Sequence, residues 1–251
     1  MALKGRIAVI TGGASGIGRA IGLRLAQDGA DIAVWDIDTA RAGAVEREIA
    51  ALGRRAVAIE VDVASSASIA AAAARTHATL GTAHILVNSA GIAEFVPVLQ
   101  MTEAQWDRML TVHLKATFLT IKALAPDMVS AGWGRIVNIS SVGGLIGPPM
   151  LAHYAAAKAG MIGLTKSVAQ ELASAGVTAN VICPGLIDTP LLKKSNTPQA
   201  VLDYSARHTP VGRLGRPEDI AAACAFLVAE DAAYFTAQVV SPNGGGYTGA
   251  S

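Results

Sequence analysis

The chain alternates short runs of β-branched and aliphatic residues with longer segments in which apolar residues recur every three to four positions. That alternation predicts strands over 6–11, 31–36, 56–61, 84–88, 134–140, 177–183 and 237–241, with helices over 16–28, 39–52, 66–80, 103–130, 153–175 and 217–229. The strands read as nearly continuous apolar runs, as expected of a parallel sheet covered by helices on both faces. The expected fold is α/β, a doubly wound seven-stranded sheet in one domain over 1–251. Two stretches depart from the rhythm. The polyalanine run before Arg75 reads as a helix packed closely on the sheet, and 190–215 is polar, broken by Pro198 and Pro210, so it is the candidate for a lid over a substrate.

Composition narrows the function. Hydrophobic residues make up 52% of the 251 residues and charged residues 16%, which favours a large core over disorder. Net charge is +1 with the basic residues scattered, so no stripe is available for a nucleic-acid backbone. Cys183 and Cys224 lie far apart, without the paired spacing of a zinc site, and read as reduced core residues; no metal is expected. The longest apolar run, Ile220 to Ala229, cannot cross a bilayer. The expectation is a cytoplasmic protein with neither membrane nor nucleic acid as a partner.

Candidate chemistry begins where the first strand runs into Thr11-Gly12-Gly13-Ala14-Ser15-Gly16-Ile17-Gly18. Glycines at such a turn allow positive φ and close backbone approach, so that Gly12, Ser15, Gly16, Ile17 and Gly18 can offer amides of a helix N-terminus to a pyrophosphate. Glycines at a strand-to-helix turn also occur for structural reasons alone. The second strand ends at Asp36, where a carboxylate accepts hydrogen bonds from ribose hydroxyls and repels a 2′-phosphate. No Arg or Lys stands at Ser15 or Ile37, so the expected cofactor is NAD(H); the plainer reading makes Asp36 a solvated strand-end residue beside Asp38.

Further along stand Asn88-Ser89-Ala90-Gly91, Ser141, Tyr154-Ala155-Ala156-Ala157-Lys158 and Pro184-Gly185. Tyr154 and Lys158, four apart on a helix, share one face, and Ser141 lies just beyond a strand at the carboxyl edge of the sheet. An ammonium beside a phenol lowers its pKa and prepares it as a base, while a hydroxyl steadies charge on a substrate oxygen. Singly, such residues are usually structural. Together, in this order and over essentially the whole chain, the motifs resemble the short-chain dehydrogenase/reductase family.

The resemblance implies a Rossmann fold with strand order 3-2-1-4-5-6-7, a Ser141, Tyr154, Lys158 catalytic group and a homotetramer. It selects Ser141 over Ser140 by spacing to the tyrosine, a choice the residues alone leave open. It implies cofactor contacts from Asp62 and Val63, from Asn88, Ala90 and Gly91, from Tyr154 and Lys158, and from Pro184, Gly185, Ile187 and Thr189 around the Pro-Gly turn. Ser89 replaces a more usual second asparagine. The larger departure is His113, where the family carries an asparagine that completes a water relay to the lysine; imidazole can also hold such a water, and can titrate near neutrality. Equally, His113 reads as a core histidine.

The substrate is expected between Ser141 to Gly144, including Gly143, Pro148 to Leu151, Leu186 and the lid from Leu191. Those walls are mainly apolar, which points to a small, weakly charged secondary alcohol or ketone. Two rivals stand beside this reading: a carrier-linked 3-oxoacyl reductase, disfavoured by Asp36, and a dinucleotide-binding sensor or scaffold without turnover. His153 reads as an exposed or interface residue, and Arg207, Arg213 and Arg216 as solvated charges.

Overall fold

The computed structural model describes residues 2–195, 202–203 and 207–249. Seven parallel strands form one sheet in the order β3-β2-β1-β4-β5-β6-β7. They are β1 (Ile7–Thr11), β2 (Asp31–Asp36), β3 (Ala56–Glu60), β4 (Ile85–Asn88), β5 (Gly134–Ile139), β6 (Val177–Ile182) and β7 (Val239–Val240). The helices are α1 (Gly16–Gln27), α2 (Thr39–Ala51), α3 (Ser66–Thr79), α4 (Glu103–Leu110), α5 (Ala116–Ser130), α6 (Gly143–Ile146), α7 (Ala152–Leu172), α8 (Pro190–Lys194) and α9 (Pro217–Val228).

Strand side chains alternate between faces, so each strand feeds two cores. Ala8 and Ile10 of β1, with Ile32 and Val34 of β2, pack with Ile21 and Leu25 of α1 and Ile220 of α9. Val9, Ala33 and Trp35 face the opposite layer, where Ile69 of α3, Ile121 and Leu124 of α5 and Ala169 of α7 meet them. Both faces are dry, which is why the strands read as continuous apolar runs rather than alternating ones. The alanine run of α3 conforms to this: Ile69, Ala72 and Thr76 face inward, and Ser65 caps the helix by accepting from the Ser68 N–H at 3.2 Å.

The seven expected strands are present: β2 at its expected bounds, β7 reduced to two residues of the expected five, and the others one residue shorter, as is usual at frayed termini. The expected helix over 103–130 is instead α4 and α5 joined by a π-helical turn over Thr111–Lys115. Such a turn inserts one residue into the ladder and rotates the following face, without changing the apolar period enough to be visible in sequence. Every β-strand points its carboxyl end to the same edge, and the turn carries His113 to that edge.

Candidate active site: two cavities at the carboxyl edge of the sheet

The loop after β1 is held open for a ligand by contacts between backbones. Thr11 Oγ1 accepts from the N–H groups of Ser89 and Ala90, each at 3.1 Å, binding the ends of β1 and β4 together. Gly12 has φ +65°, and a Cβ there would stand 2.7 Å from Ala90 Cα. A Cβ on Gly18 would collide with the Gly12 carbonyl oxygen. Neither site tolerates a side chain. Ser15 makes no side-chain cap bond to α1, so the first amides of the helix are left for an external acceptor.

These amides open into a cleft of about 290 Å³ that runs from Asp36 to Tyr154 and Lys158. Asp36 is fixed there from both oxygens: Oδ2 accepts from the Ala14 N–H and Oδ1 from the Asp38 N–H, each at 3.0 Å. Asp62 and Val63 line the same wall, and Ala90 and Gly91 another. Lys158 is the one Lys or Arg among the described lining residues, and it stands at the end away from Asp36. The glycine cradle, the uncapped helix and the anchored carboxylate together fit a dinucleotide.

At the other end, α7 presents Tyr154 and Lys158 from adjacent turns, with Nζ 5.6 Å from the phenol ring centre. Lys158 Nζ donates to the Ile139 carbonyl at 2.8 Å, tying α7 to the end of β5. Ser140 is buried and donates to the Lys158 carbonyl at 2.9 Å, whereas Ser141 is half-buried and hydrogen-bonds Tyr154. Geometry thus separates the two serines, a choice that the residues alone left open. Ser141 Oγ also accepts from the Gly143 N–H at 2.9 Å. A Cβ on Gly143 would lie 3.2 Å from Ser141 Oγ and 3.3 Å from Tyr154 Cε1, so glycine keeps the approach to both hydroxyls clear.

Burial dominates the electrostatics of this end. It raises the Tyr154 phenol, an effect that the Ser141 hydrogen bond opposes. It lowers the Lys158 ammonium to about 7. The phenol is thus not made acidic by its lysine, contrary to the expectation from spacing: removing water costs the charged forms of both groups more than their proximity returns. A phenolate here requires positive charge beyond what the chain supplies.

A second cavity of about 520 Å³ adjoins the cleft, with Ile17, Ser140, Tyr154, Thr189 and Leu191 common to both. Ser141, Gly143, Leu151 and Leu186 line it with Leu191, as do Pro184 and Gly185 of the turn after β6.

The family model described as enoyl-(acyl carrier protein) reductase matches residues 12–248. A (3R)-3-hydroxyacyl-CoA dehydrogenase of Canis lupus familiaris is 39% identical over 98% of this chain and 97% of its own length. The chain belongs to the short-chain dehydrogenase/reductase family. A 2-dehydro-3-deoxy-L-rhamnonate dehydrogenase (NAD(+)) of Sphingomonas sp. is 38% identical over 96% of this chain and 95% of its own. A 3-oxoacyl-(acyl-carrier-protein) reductase of Thermotoga maritima is 36% identical over 98% and 99%. Relatives of nearly equal similarity thus carry names with different substrates, and likeness to them does not select one. As a member of this family the chain is an oxidoreductase that binds a nicotinamide cofactor.

In this short-chain dehydrogenase/reductase, Gly12, Ser15, Gly16, Ile17, Gly18, Asp36, Asp62, Val63, Ala90, Gly91, Tyr154, Lys158 and Thr189 line the cleft. Pro184, Gly185 and Ile187 border the second cavity instead. Asn88 lies inside the sheet, where its Nδ2 donates to Asn138 Oδ1 at 2.9 Å and its Oδ1 accepts from Thr120 Oγ1 at 2.7 Å. Asn138 in turn donates to Thr165 Oγ1 at 2.8 Å, so this buried chain fastens α5 and α7 to the sheet beneath the site. Gly144 turns toward α7, a Cβ there standing 2.8 Å from the Lys158 carbonyl carbon.

His113 is buried in the cleft wall, edge-on to Tyr154 with ring centres 5.5 Å apart. Its Nε2 lies 2.8 Å from the Ile92 carbonyl, to which it donates in one tautomer, and 3.1 Å from the Ile92 nitrogen, from which it accepts in the other, while Nδ1 is buried with no partner among the described residues. Burial and the nearby Lys158 charge hold its pKa well below the ordinary range, so it stays neutral and does not titrate near neutrality. His153, expected at an exposed or interface position, is fully buried, its Nδ1 accepting from the Tyr154 N–H at 2.9 Å. The expected lid over 190–215 falls partly outside the described residues.

Residues not anticipated from sequence include Trp35, Ile37 and Val61 in the cleft and Ala93 and Phe95 in the second cavity. Ile37 and Val61 directly follow sequence positions marked by β2 and β3, and strand ends alone would have found them. The loop after β4 gave no periodic signal. No helix among the described residues is long and apolar enough to cross a membrane, and no group of three potential metal ligands occurs among them.

Proposed function

We propose that the protein is an NAD(H)-dependent oxidoreductase interconverting a small secondary alcohol and its ketone, with Tyr154 as acid and base. The observation that carries this reading is the shared wall: Tyr154 borders both the cleft that fits a dinucleotide and the cavity beside Ser141. When bound, the nicotinamide accepts a hydride from the alcohol carbon or returns one to the ketone. Ser141 Oγ hydrogen-bonds the substrate oxygen, and Tyr154 Oη takes the hydroxyl proton as the hydride leaves, or gives it back in reduction. Lys158, held by the Ile139 carbonyl, retains further N–H donors for a ribose and a water. Because burial keeps the phenol protonated, ketone reduction should run at and below neutrality while alcohol oxidation should climb as pH rises.

Preference for NAD(H) is supported by Asp36, anchored where a 2′-phosphate would lie, in a wall without Arg or Lys at that end. The neutral imidazole of His113 adds a positioning role: with Nε2–H donating to Ile92, its Nδ1 lone pair accepts from a water that links onward to Lys158. Thr189, which lines both cavities, would hold the nicotinamide end where they meet, with Pro184, Gly185 and Ile187 beside it on the second-cavity side. A homotetramer in the cytoplasm completes the reading, and exposed Trp106 and Phe118 on α4 and α5 are side chains that a second copy would cover.

Relatives named for coenzyme A and carrier-protein substrates favour a thioester as the second reading. Against it, no Lys, Arg, Asp or Glu appears among the described lining residues of the second cavity, which suits an uncharged molecule. A panel of alcohols with NAD⁺ and NADP⁺, followed at the absorbance band of the reduced cofactor, tests the proposal. Turnover of free alcohols with NAD⁺ preferred is the expected result; NADP⁺ preference, or activity with thioesters alone, would overturn it.

A further inference from the structure

The polar side chains of the second cavity can be accounted for one by one, because a buried hydroxyl or amide without a partner is costly. Ser141 and Tyr154 belong to the reacting end. Ser140 donates to the Lys158 carbonyl, and Thr189 Oγ1 accepts from the Leu192 N–H at 3.3 Å to cap α8. Ser195, His208 and Thr209 have interactions of their own. Asn243 is fully committed: Nδ2 donates to Ser241 Oγ at 3.0 Å and to the Tyr247 carbonyl at 3.1 Å, while Oδ1 accepts from the Tyr247 N–H at 3.3 Å. The phenol of Tyr247 remains. It lines the cavity, is half-buried, and has no hydrogen-bond partner among the described residues.

Tyr247 is also the side chain whose backbone Asn243 staples. That staple rests on the turn after β6, where a Cβ on Gly185 would stand 2.9 Å from Asn243 Cα, and on the Ser241 hydroxyl, which donates to the Cys183 carbonyl at 2.8 Å. Gly249 leaves room for the phenol oxygen, since a Cβ there would collide with Tyr247 Oη. A phenol carried on a backbone held this firmly, with its oxygen left uncommitted among the described residues of a largely apolar wall, has the form of a recognition group.

We propose that Tyr247 is a specificity-determining residue, its phenol hydrogen-bonding a second oxygen on the substrate, and that Asn243 is its positioning residue. The substrate class is then an uncharged ketone or secondary alcohol bearing another hydroxyl or carbonyl away from the reacting carbon. This rests on the reading of the two cavities as cofactor and substrate sites.

The test uses two matched pairs that place the second oxygen at different reach: cyclohexanone with 4-hydroxycyclohexanone, and 4-phenylbutan-2-one with 4-(4-hydroxyphenyl)butan-2-one. The readouts are kcat/KM and binding to the protein–NADH complex by quenching of NADH fluorescence. In at least one pair the wild-type protein should favour the oxygenated member about five- to tenfold, the amount a neutral hydrogen bond supplies. Tyr247→Phe should bring that ratio to one, and Asn243→Ala should lower it as well; because the readout is a ratio, a general loss of activity cancels. A wild-type ratio of one in both pairs, or a ratio that survives Tyr247→Phe, would overturn the proposal. Selective binding that depends on Tyr247 without turnover of any ketone would support it while removing the alcohol–ketone reading of the site.

Discussion

At the amino edge of the sheet, charges are paired with one another. Arg6 and Arg135 lie against Trp133, with guanidinium carbons 3.7 and 4.3 Å from its ring centre, and Glu230 accepts from Arg6 and from the indole N–H at 2.9 Å each. Asp31 takes Arg54 and Arg55 at 2.5 and 2.8 Å. At the carboxyl edge the polar groups are held but left incomplete. Among the described residues Asp36 is anchored by two amides with no cation on it, Lys158 has one carbonyl, His113 keeps a buried nitrogen unpaired, and α1 lacks a side-chain cap. A cluster whose charges are paired as at the amino edge contributes to stability and has little left to offer a ligand, Arg135 Nε being its buried nitrogen without a partner among the described residues. An incomplete one stores its unmet hydrogen bonds for whatever enters, which is why function gathers at one edge of a sheet buried on both faces.

The contrast predicts that substitutions at the two edges separate activity from stability. The largest effect among the binding groups is expected from Gly18→Ala, whose Cβ would force the Gly12 carbonyl aside and open the cradle. Titration with NADH should show affinity down by about 100-fold, the upper end of what overpacking costs. Asp36→Ala should raise KM for NAD⁺ by about 10- to 100-fold, as for a lost hydrogen bond to a charged group, and improve KM for NADP⁺. If both cofactors weakened alike, Asp36 would be a loop anchor and not a discriminator.

Lys158→Met turns the comparison around, because a group kept ready for a ligand is expensive to bury. With its folded pKa near 7 against an unfolded value near 10.5, the lysine costs the folded state most below pH 7, and that cost fades as pH rises toward the unfolded value. Thermal unfolding should therefore show Lys158→Met more stable than wild type at pH 6, with the gain shrinking by pH 9, while turnover is lost. The smallest effect belongs to Glu230→Gln at the amino edge. It should lower Tm by about 2–4 °C, the change that roughly 1 kcal/mol produces in a domain of this size, and leave kcat as it is.

The same division explains what the sequence disclosed. The strands were legible because both faces are buried, and the glycine turn because backbone approaches as close as those at Gly12 and Gly18 exclude a side chain. Tyr154 and Lys158 were visible from helical spacing. Their titration was not, since it depends on desolvation by residues from β5, the π-helical turn and the loops, which no local pattern reports. His153 was misjudged for a related reason: one residue from Tyr154 on the helix, it points into the packing between α7 and its neighbours, a direction that only the assembled fold determines. Tyr247 is silent in sequence because its role rests on a hydrogen-bonded loop and on elimination among its neighbours.

The central claim is that Tyr154 moves the substrate proton at a site where the cofactor is bound by other groups. Tyr154→Phe, assayed for NADH affinity and for kcat with an accepted ketone, tests it most directly. Affinity should change by no more than a few-fold while kcat falls by about 100-fold or more, the contribution of a positioned acid. A variant that kept its kcat within tenfold of wild type would contradict the claim.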